Sequence, residues 1–285
     1  MTSFTTPVQL RWTDLDAQGH VNNVTVADYM QQARAQFLVA GPARGLLDDG
    51  CVVVGHQIAY RRAINYSNDP LTVKLAVPEL GAARFVIAYR LFQDDQLCVE
   101  ARSVLCPFDF DKQRPQRLKR VERRFLAGYR HEVAPLSELE APDLNGRGSA
   151  LDIFSRWSDP DRYGHVNNVR FLDFVLAGRV DMTTRADPSM ARVGMAGAPS
   201  AAQWFIARQD IDYLTQMEFR LAPYRVLTAP VRLGETSVVL ASEIVDPDHG
   251  TIFARARVVL VYADAQGHKR PLPDSAREAL TSQVI

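Results

Sequence analysis

An aspartate, a histidine and two adjacent asparagines recur at fixed spacing in RWTDLDAQGHVNN (residues 11–23) and RWSDPDRYGHVNN (residues 156–168). Asp16 and Asp161 are carboxylates that could attack a carbonyl carbon or serve water as a general base. Asn22-Asn23 and Asn167-Asn168 stand where helical patterns begin. The first N–H groups of a helix, with its dipole, favour developing negative charge. A carboxylate just ahead of a helix start therefore suffices to cleave an acyl compound with a good leaving group. Each residue also has a purely structural reading. An aspartate before a helix commonly caps it, and asparagine is a preferred N-cap. His20 and His165 read equally as hydrogen-bonded structural imidazoles and as polar groups of a site. Asp14 and Asp159 read as turn or capping residues. Gly19 and Gly164 sit inside the same turn and, with Asn22, Asn23, Asn167 and Asn168, are the candidate substrate-binding or oxyanion residues.

The elements that must position these residues are themselves duplicated. Nine of the thirteen positions are identical, at an offset of 145. Further along, Ile58-Ala59-Tyr60 aligns with Ile211-Asp212-Tyr213, Pro70 with Pro223, and Leu80-Gly81 with Leu233-Gly234, at an offset of 153. The added residues fall in DPSMARVGMAGAPSAAQ (187–203), whose Gly, Pro, Ala and Ser predict a loop. A long-period repeat means two copies of one structural unit. Helices are predicted over 24–40 and 169–182. The second is apolar almost all round (Phe171, Leu172, Phe174, Val175, Leu176, Val180) and should be buried. ARFVIAYRLF and QLCVEARSVLC, separated by QDD, read as a hairpin, as do TSVVLASEIV and the strand after DPDHG. Trp12 and Trp157 are expected in the core or at an interface. The reading is α+β: a first repeat over 1–130, a linker over 131–150 rich in polar residues, Pro and Gly, and a second repeat over 151–285. Each repeat would wrap an antiparallel sheet round one buried helix, the two packing as an intrachain pseudo-dimer.

The pattern Asp-x-Asp-x-x-Gly-His-Val-Asn-Asn, followed by a helix carrying Ala33-Arg34, resembles the hotdog-fold thioesterases. It is most similar to the 4-hydroxybenzoyl-CoA and acyl-CoA thioesterase group, and also to the acyl-ACP thioesterases, which carry two hotdog repeats in one chain. The resemblance implies a double hotdog that hydrolyses acyl-CoA to free acid and CoA. It implies Asp16 and Asp161 as catalytic carboxylates, and the helix-start amides near Asn23 and Asn168 as donors to the thioester carbonyl. From the acyl-ACP branch it implies a site role for His20 and His165. That branch has Asn two positions after the Asp, where this chain has Gln18 and Tyr163. Single-repeat relatives place a Glu three residues before the helix Arg, where this chain has Gln31 and Leu176. The alternatives are an acyl-ACP thioesterase or a hotdog protein that binds acyl-CoA without hydrolysing it.

Bulk composition excludes other classes. The 285 residues carry 33 Lys plus Arg against 33 Asp plus Glu, so no net positive field invites nucleic acid. No apolar run reaches the length of a membrane span. The N-terminal MTSFTTPVQL does not read as a secretory signal. Three cysteines without CxxC spacing read as free thiols in a reducing cytoplasm. No HxxxH or Cys/His cluster accompanies the histidines, so no metal and no cofactor are expected. Partners are an acyl-CoA or acyl-ACP substrate and, by analogy with tetramers of single-repeat relatives, a second copy of the chain in a homodimer. The run KQRPQRLKRVERRF (112–125), with seven Lys or Arg, reads as a solvated helical face or as a landing site for CoA phosphates or an acidic carrier.

Overall fold

The computed structural model describes residues 3–140, 142–190, 202–264 and 266–285. The chain divides into two units, Met1–Ser137 and Glu138–Ile285. The first contains β1 (Phe4–Val8), α1 (Asn23–Val39), α2 (Gly45–Asp48), β2 (Cys51–Tyr60), β3 (Leu71–Leu80), β4 (Phe85–Gln93), β5 (Gln96–Asp109), β6 (Arg114–Pro115) and α3 (Arg120–Ala127). Its strands pair antiparallel in the order β1-β3-β4-β5-β2, with β6 added to β5. The β4–β5 hairpin turns on Asp94 and Asp95, both at positive φ (50° and 59°). Two such residues twist the turn in the sense the flanking strands need.

The second unit contains β7 (Ser149–Ile153), α4 (Asn168–Ala186), β8 (Gln203–Tyr213), β9 (Tyr224–Leu233), β10 (Ser237–Val245), β11 (Ile252–Ala263) and α5 (Asp274–Thr281). Its order, β7-β9-β10-β11-β8, repeats that of the first unit. The register repeats as well. The rung Leu75–Tyr89–Ala101–Ile58 of the first sheet becomes Thr228–Ser242–Ala256–Ile211 in the second. The offset of 153 read from the sequence is therefore a structural equivalence of β2, β3 and β4 with β8, β9 and β10, while β5 meets β11 at an offset of 155. Both units are antiparallel sheets with few helices, as the α+β reading expects. Of the loop predicted over 187–203, residues 191–201 lie outside the described residues.

The helices bury long stripes. On α1 these include Val26, Met30, Phe37 and Leu38, and the helix packs on β1 and β3. On α4 they include Phe171, Leu172, Phe174 and Val175, and the helix packs on β7, β9 and β10. Val180, expected inside, is 40% exposed. The apolar face of α4 does not extend all round: Val180 lies two residues, about 200° round the helix, from Gly178, which packs on Val226 and Thr228. Phe37 is fully buried, its ring centroid 5.0–5.2 Å from those of Phe4, Phe125 and Tyr129, an aromatic core that tilted and edge-on contacts hold. Among the described residues no helix is long and apolar enough to cross a membrane.

Candidate active site

The first motif folds into a closed turn on the doorstep of α1. The backbone amide of Asp16 donates to the His20 carbonyl (2.7 Å), and the Gly19 amide to the Asp16 carbonyl (3.0 Å). Gly19 stands at φ +79°, a conformation that side chains disfavour, so glycine is required there. Oδ1 of Asp16 accepts from the amides of Gln18 (2.8 Å) and His20 (3.2 Å). This is an Asx-type turn, in which a short carboxylate stands in for backbone acceptors. Among the described residues no donor meets Oδ2 of Asp16. One oxygen is thus anchored and the other is left to act.

The turn is tied to its surroundings on both sides. Val21 donates to Ile64 (2.8 Å) and buries its side chain. Asn22 is the N-cap of α1: its Oδ1 accepts the Val24 amide (3.0 Å). Asn23 is the first helical residue rather than a second cap. Its carbonyl accepts the Tyr60 hydroxyl (3.0 Å). Its amide meets no acceptor among the described residues, as expected of a first-turn N–H. Asp14 acts as a brace. Its Oδ2 accepts the Arg11 amide (2.8 Å) and the Tyr29 hydroxyl from α1 (2.6 Å), and its carbonyl accepts the Asn22 amide (2.8 Å). Burial, then the Asp14 carboxylate, raises the pKa of the Tyr29 phenol, so it stays a donor. Removing that donor in Tyr29→Phe is expected to cost about 1–2 kcal/mol, read from the urea midpoint.

The second motif repeats the construction. Asp161 donates to His165 (2.8 Å), Gly164 to Asp161 (3.0 Å) and Val166 to Met217 (2.8 Å). Gly164 stands at φ +84°. Oδ1 of Asp161 accepts the Tyr163 amide (2.8 Å). Asn167 caps α4 through the Val169 amide (3.0 Å), and Tyr213 donates to the Asn168 carbonyl (2.9 Å). Asp159 accepts the Arg156 amide (2.7 Å). At the place of Tyr29, 145 residues on, stands Phe174, which has no hydroxyl to offer. Burial lifts the Asp161 carboxyl above its ordinary range, partly offset by the Tyr163 amide and by His165. A carboxyl held near water but partly desolvated is a better proton acceptor than an exposed one.

Each predicted residue falls on one of these two turns or helix starts. Sequence pattern alone gives the tyrosines no role, although Tyr60 and Tyr213 stand in the repeated Ile-x-Tyr alignment. Trp12 and Trp157 do not lie in the core: they are 71% and 83% exposed, each edge-on to one aromatic neighbour among the described residues, Tyr66 and Phe219, so of the two expectations only an interface role is left. The basic run forms β6 and α3. Glu122 and Leu126 of α3 are buried and Arg120, Arg123 and Arg124 face solvent, an exposed basic face compatible with both readings of this run. A cleft of about 400 Å³ beside it is lined by Asp49, Asp109, Phe110, Asp111, Gln116 and Lys119. Three carboxylates there oppose a phosphate. Among the described residues no three His, Cys, Asp or Glu side chains gather to hold a metal.

Solved structures share this architecture over nearly the whole chain. A provisionally assigned oleoyl thioesterase from Lactobacillus plantarum is 13% identical, with a TM-score of 0.72 over 96% of this chain and 98% of its own. The 12:0-ACP thioesterase from Umbellularia californica is 15% identical, with a TM-score of 0.73 over 91% and 94%. An acyl-ACP thioesterase from Bacteroides thetaiotaomicron is 14% identical, with a TM-score of 0.64 over 91% and 97%. At such identities the likeness concerns the fold. No curated protein matches the sequence. A family model matches residues 10–138 and again 155–280, so that both copies of the motif fall within it, and the chain belongs to the thioesterase-like superfamily.

Proposed function

We propose that this protein hydrolyses acyl-CoA thioesters, using the turn carboxylates Asp16 and Asp161. The reading includes the duplicated organisation, with hotdog repeats 1–130 and 151–285 wrapped round α1 and α4 and joined by 131–150. One observation carries the site assignment: among the described residues, the Asp16 turn anchors one carboxylate oxygen, leaves the other unengaged, and leads within seven residues to a helix whose first amide is unpaired. The thioester carbonyl oxygen lies against the Asn23 amide, or that of Asn168 in the second copy. The helix dipole stabilises the charge that develops on it. The aspartate attacks the carbonyl carbon or takes a proton from the attacking water. The thiolate departs without strong acid assistance. His20 and His165 hold the turn, since their carbonyls accept the aspartate amides, and Gly19 and Gly164 let it close. Asn22 and Asn167 fix the helix start.

The carboxyl of Asp161 must be ionised to act, and its pKa is raised, so activity through the second turn falls earlier on acidification. In Asp16→Asn, the acid limb of kcat/KM is expected above the ordinary carboxylate pKa of about 4. A limb at or below that value would contradict the assignment of Asp161 as the working base or nucleophile. The carrier is tested by offering one acyl group on CoA and on acyl-carrier protein. The acyl-CoA reading expects kcat/KM at least about tenfold higher on CoA, a difference of about 1.4 kcal/mol. The reverse ratio would make the chain an acyl-ACP thioesterase, as two of the fold relatives are named.

A further inference from the structure

The two units differ most where their helices face the sheet at the paired arginines. In the first unit Arg34 of α1 donates to the Tyr89 hydroxyl (3.2 Å), both side chains being buried. Tyr89 shares its rung with Leu75, and β1 adds Phe4 opposite Leu75. In the second unit the same rung reads Ser149, Thr228 and Ser242. Thr228 and Ser242 are buried, and their hydroxyls bond each other at 2.9 Å. Thr228 Oγ1 faces α4, because a Cβ placed on Gly178 would lie 3.0 Å from it. Arg179, 145 residues after Arg34, follows Gly178.

Arg179 is partly buried, and its guanidinium makes no hydrogen bond, ion pair or ring contact among the described residues. Desolvation alone lowers its pKa, to about 10. The tyrosine that receives Arg34 is a serine here, too short to meet the second arginine. A partly buried cation without a counter-charge among the described residues loses part of its hydration, a cost that an incoming carboxylate would offset. Three large side chains are replaced by small hydroxylated ones on the same rung, which removes bulk and adds hydrogen-bonding groups. At 1.5 Å per residue, the eleven residues from Asn168 to Arg179 place the guanidinium about 16 Å down the helix from its start. It would meet the far end of an acyl chain, not the thioester.

We infer that the second unit takes acyl groups ending in a carboxylate, which Arg179 receives with Ser242 and Thr228 beside it, while Tyr89 satisfies the equivalent arginine of the first unit. The inference rests on the acyl-thioester reading for its site, so its test avoids turnover and carrier. The probes are N-methyl monoamides of α,ω-dicarboxylic acids from six to sixteen carbons, and the methyl-terminated fatty amides of equal length, titrated by calorimetry. The native chain is expected to bind one length of the carboxyl-terminated series at least tenfold more tightly than its methyl-terminated match. Arg179→Met should abolish that preference, Arg179→Lys should keep part of it, and Arg34→Met should leave it intact. Arg179→Met should melt no lower than the native chain, since it removes an uncompensated charge. Absence of a preference at every length, absence of binding by both series, or a preference that survives Arg179→Met would overturn the inference. A chain that turns over no thioester but shows the Arg179-dependent preference would refute the hydrolase reading alone.

Discussion

Replacing Asp16 and Asp161 together by asparagine is expected to lower kcat for acyl-CoA by about 100- to 10,000-fold, the range for loss of a positioned base or nucleophile. The fold should survive. Each Oδ1 is a hydrogen-bond acceptor for turn amides, Gln18 and His20 in one copy and Tyr163 in the other. An asparagine carbonyl oxygen can accept the same bonds, while the amide nitrogen that replaces Oδ2 can neither attack nor take a proton. Each turn is complete within its own unit, so each single variant should retain the activity of the other turn. Unequal losses would name the more active copy. Circular dichroism and urea midpoints near native values must accompany the kinetics. A double variant that turned over at the native rate would remove the carboxylates from the mechanism.

The second large effect concerns acid stability. His56 on β2 is 2% exposed, with Nδ1 2.8 Å from Ser103 Oγ. Burial, and then the Arg34 cation, depress its pKa from 6.5 to about 3. The unfolded chain therefore binds this proton near pH 6.5, whereas the folded chain resists it until about pH 3. Stability from the neutral imidazole is complete above pH 6.5 and is lost as pH falls toward 3, at up to about 1.4 kcal/mol per pH unit. Between pH 7 and 4.5 this amounts to roughly 2–3 kcal/mol. The second unit offers the control, because Gln209, 3% exposed, occupies the equivalent register position. His56→Gln should flatten the pH dependence of the urea midpoint over this interval. An unchanged slope would show that the imidazole is not the acid-sensitive group.

Much of this arrangement is legible in the sequence, and the reason is duplication. A single Asp-x-x-Gly-His-Val-Asn-Asn would admit a helix cap as readily as a site, but two copies at one offset identify a unit. The hairpins at Asp94-Asp95 and after Asp246 follow from turn residues between apolar strands. The Asn22 and Asn167 caps follow from local chemistry, since the capping bond spans two residues. What was not legible depends on partners distant in sequence. Tyr29 reaches Asp14 across fifteen residues, and Tyr60 reaches Asn23 across thirty-seven. Trp12 and Trp157 show the limit of size and apolarity as a guide to the core, since each is exposed with one aromatic neighbour among the described residues. The contrast between Arg34 and Arg179 needed the strand register, because only pairing sets Tyr89 and Ser242 in equivalent places. An acyl pocket would leave no periodic signal, since side chains that line a pocket and side chains that fill a core share one pattern.

The most direct test of the central claim is thiol release by the native chain from acyl-CoAs, short, long and aromatic, with the same acyl groups on acyl-carrier protein run beside them. The account predicts saturable release from at least one acyl-CoA, at a rate that the Asp16→Asn/Asp161→Asn double variant loses. No release from either carrier at high protein concentration would contradict it, and would leave the two braced turns as architecture alone.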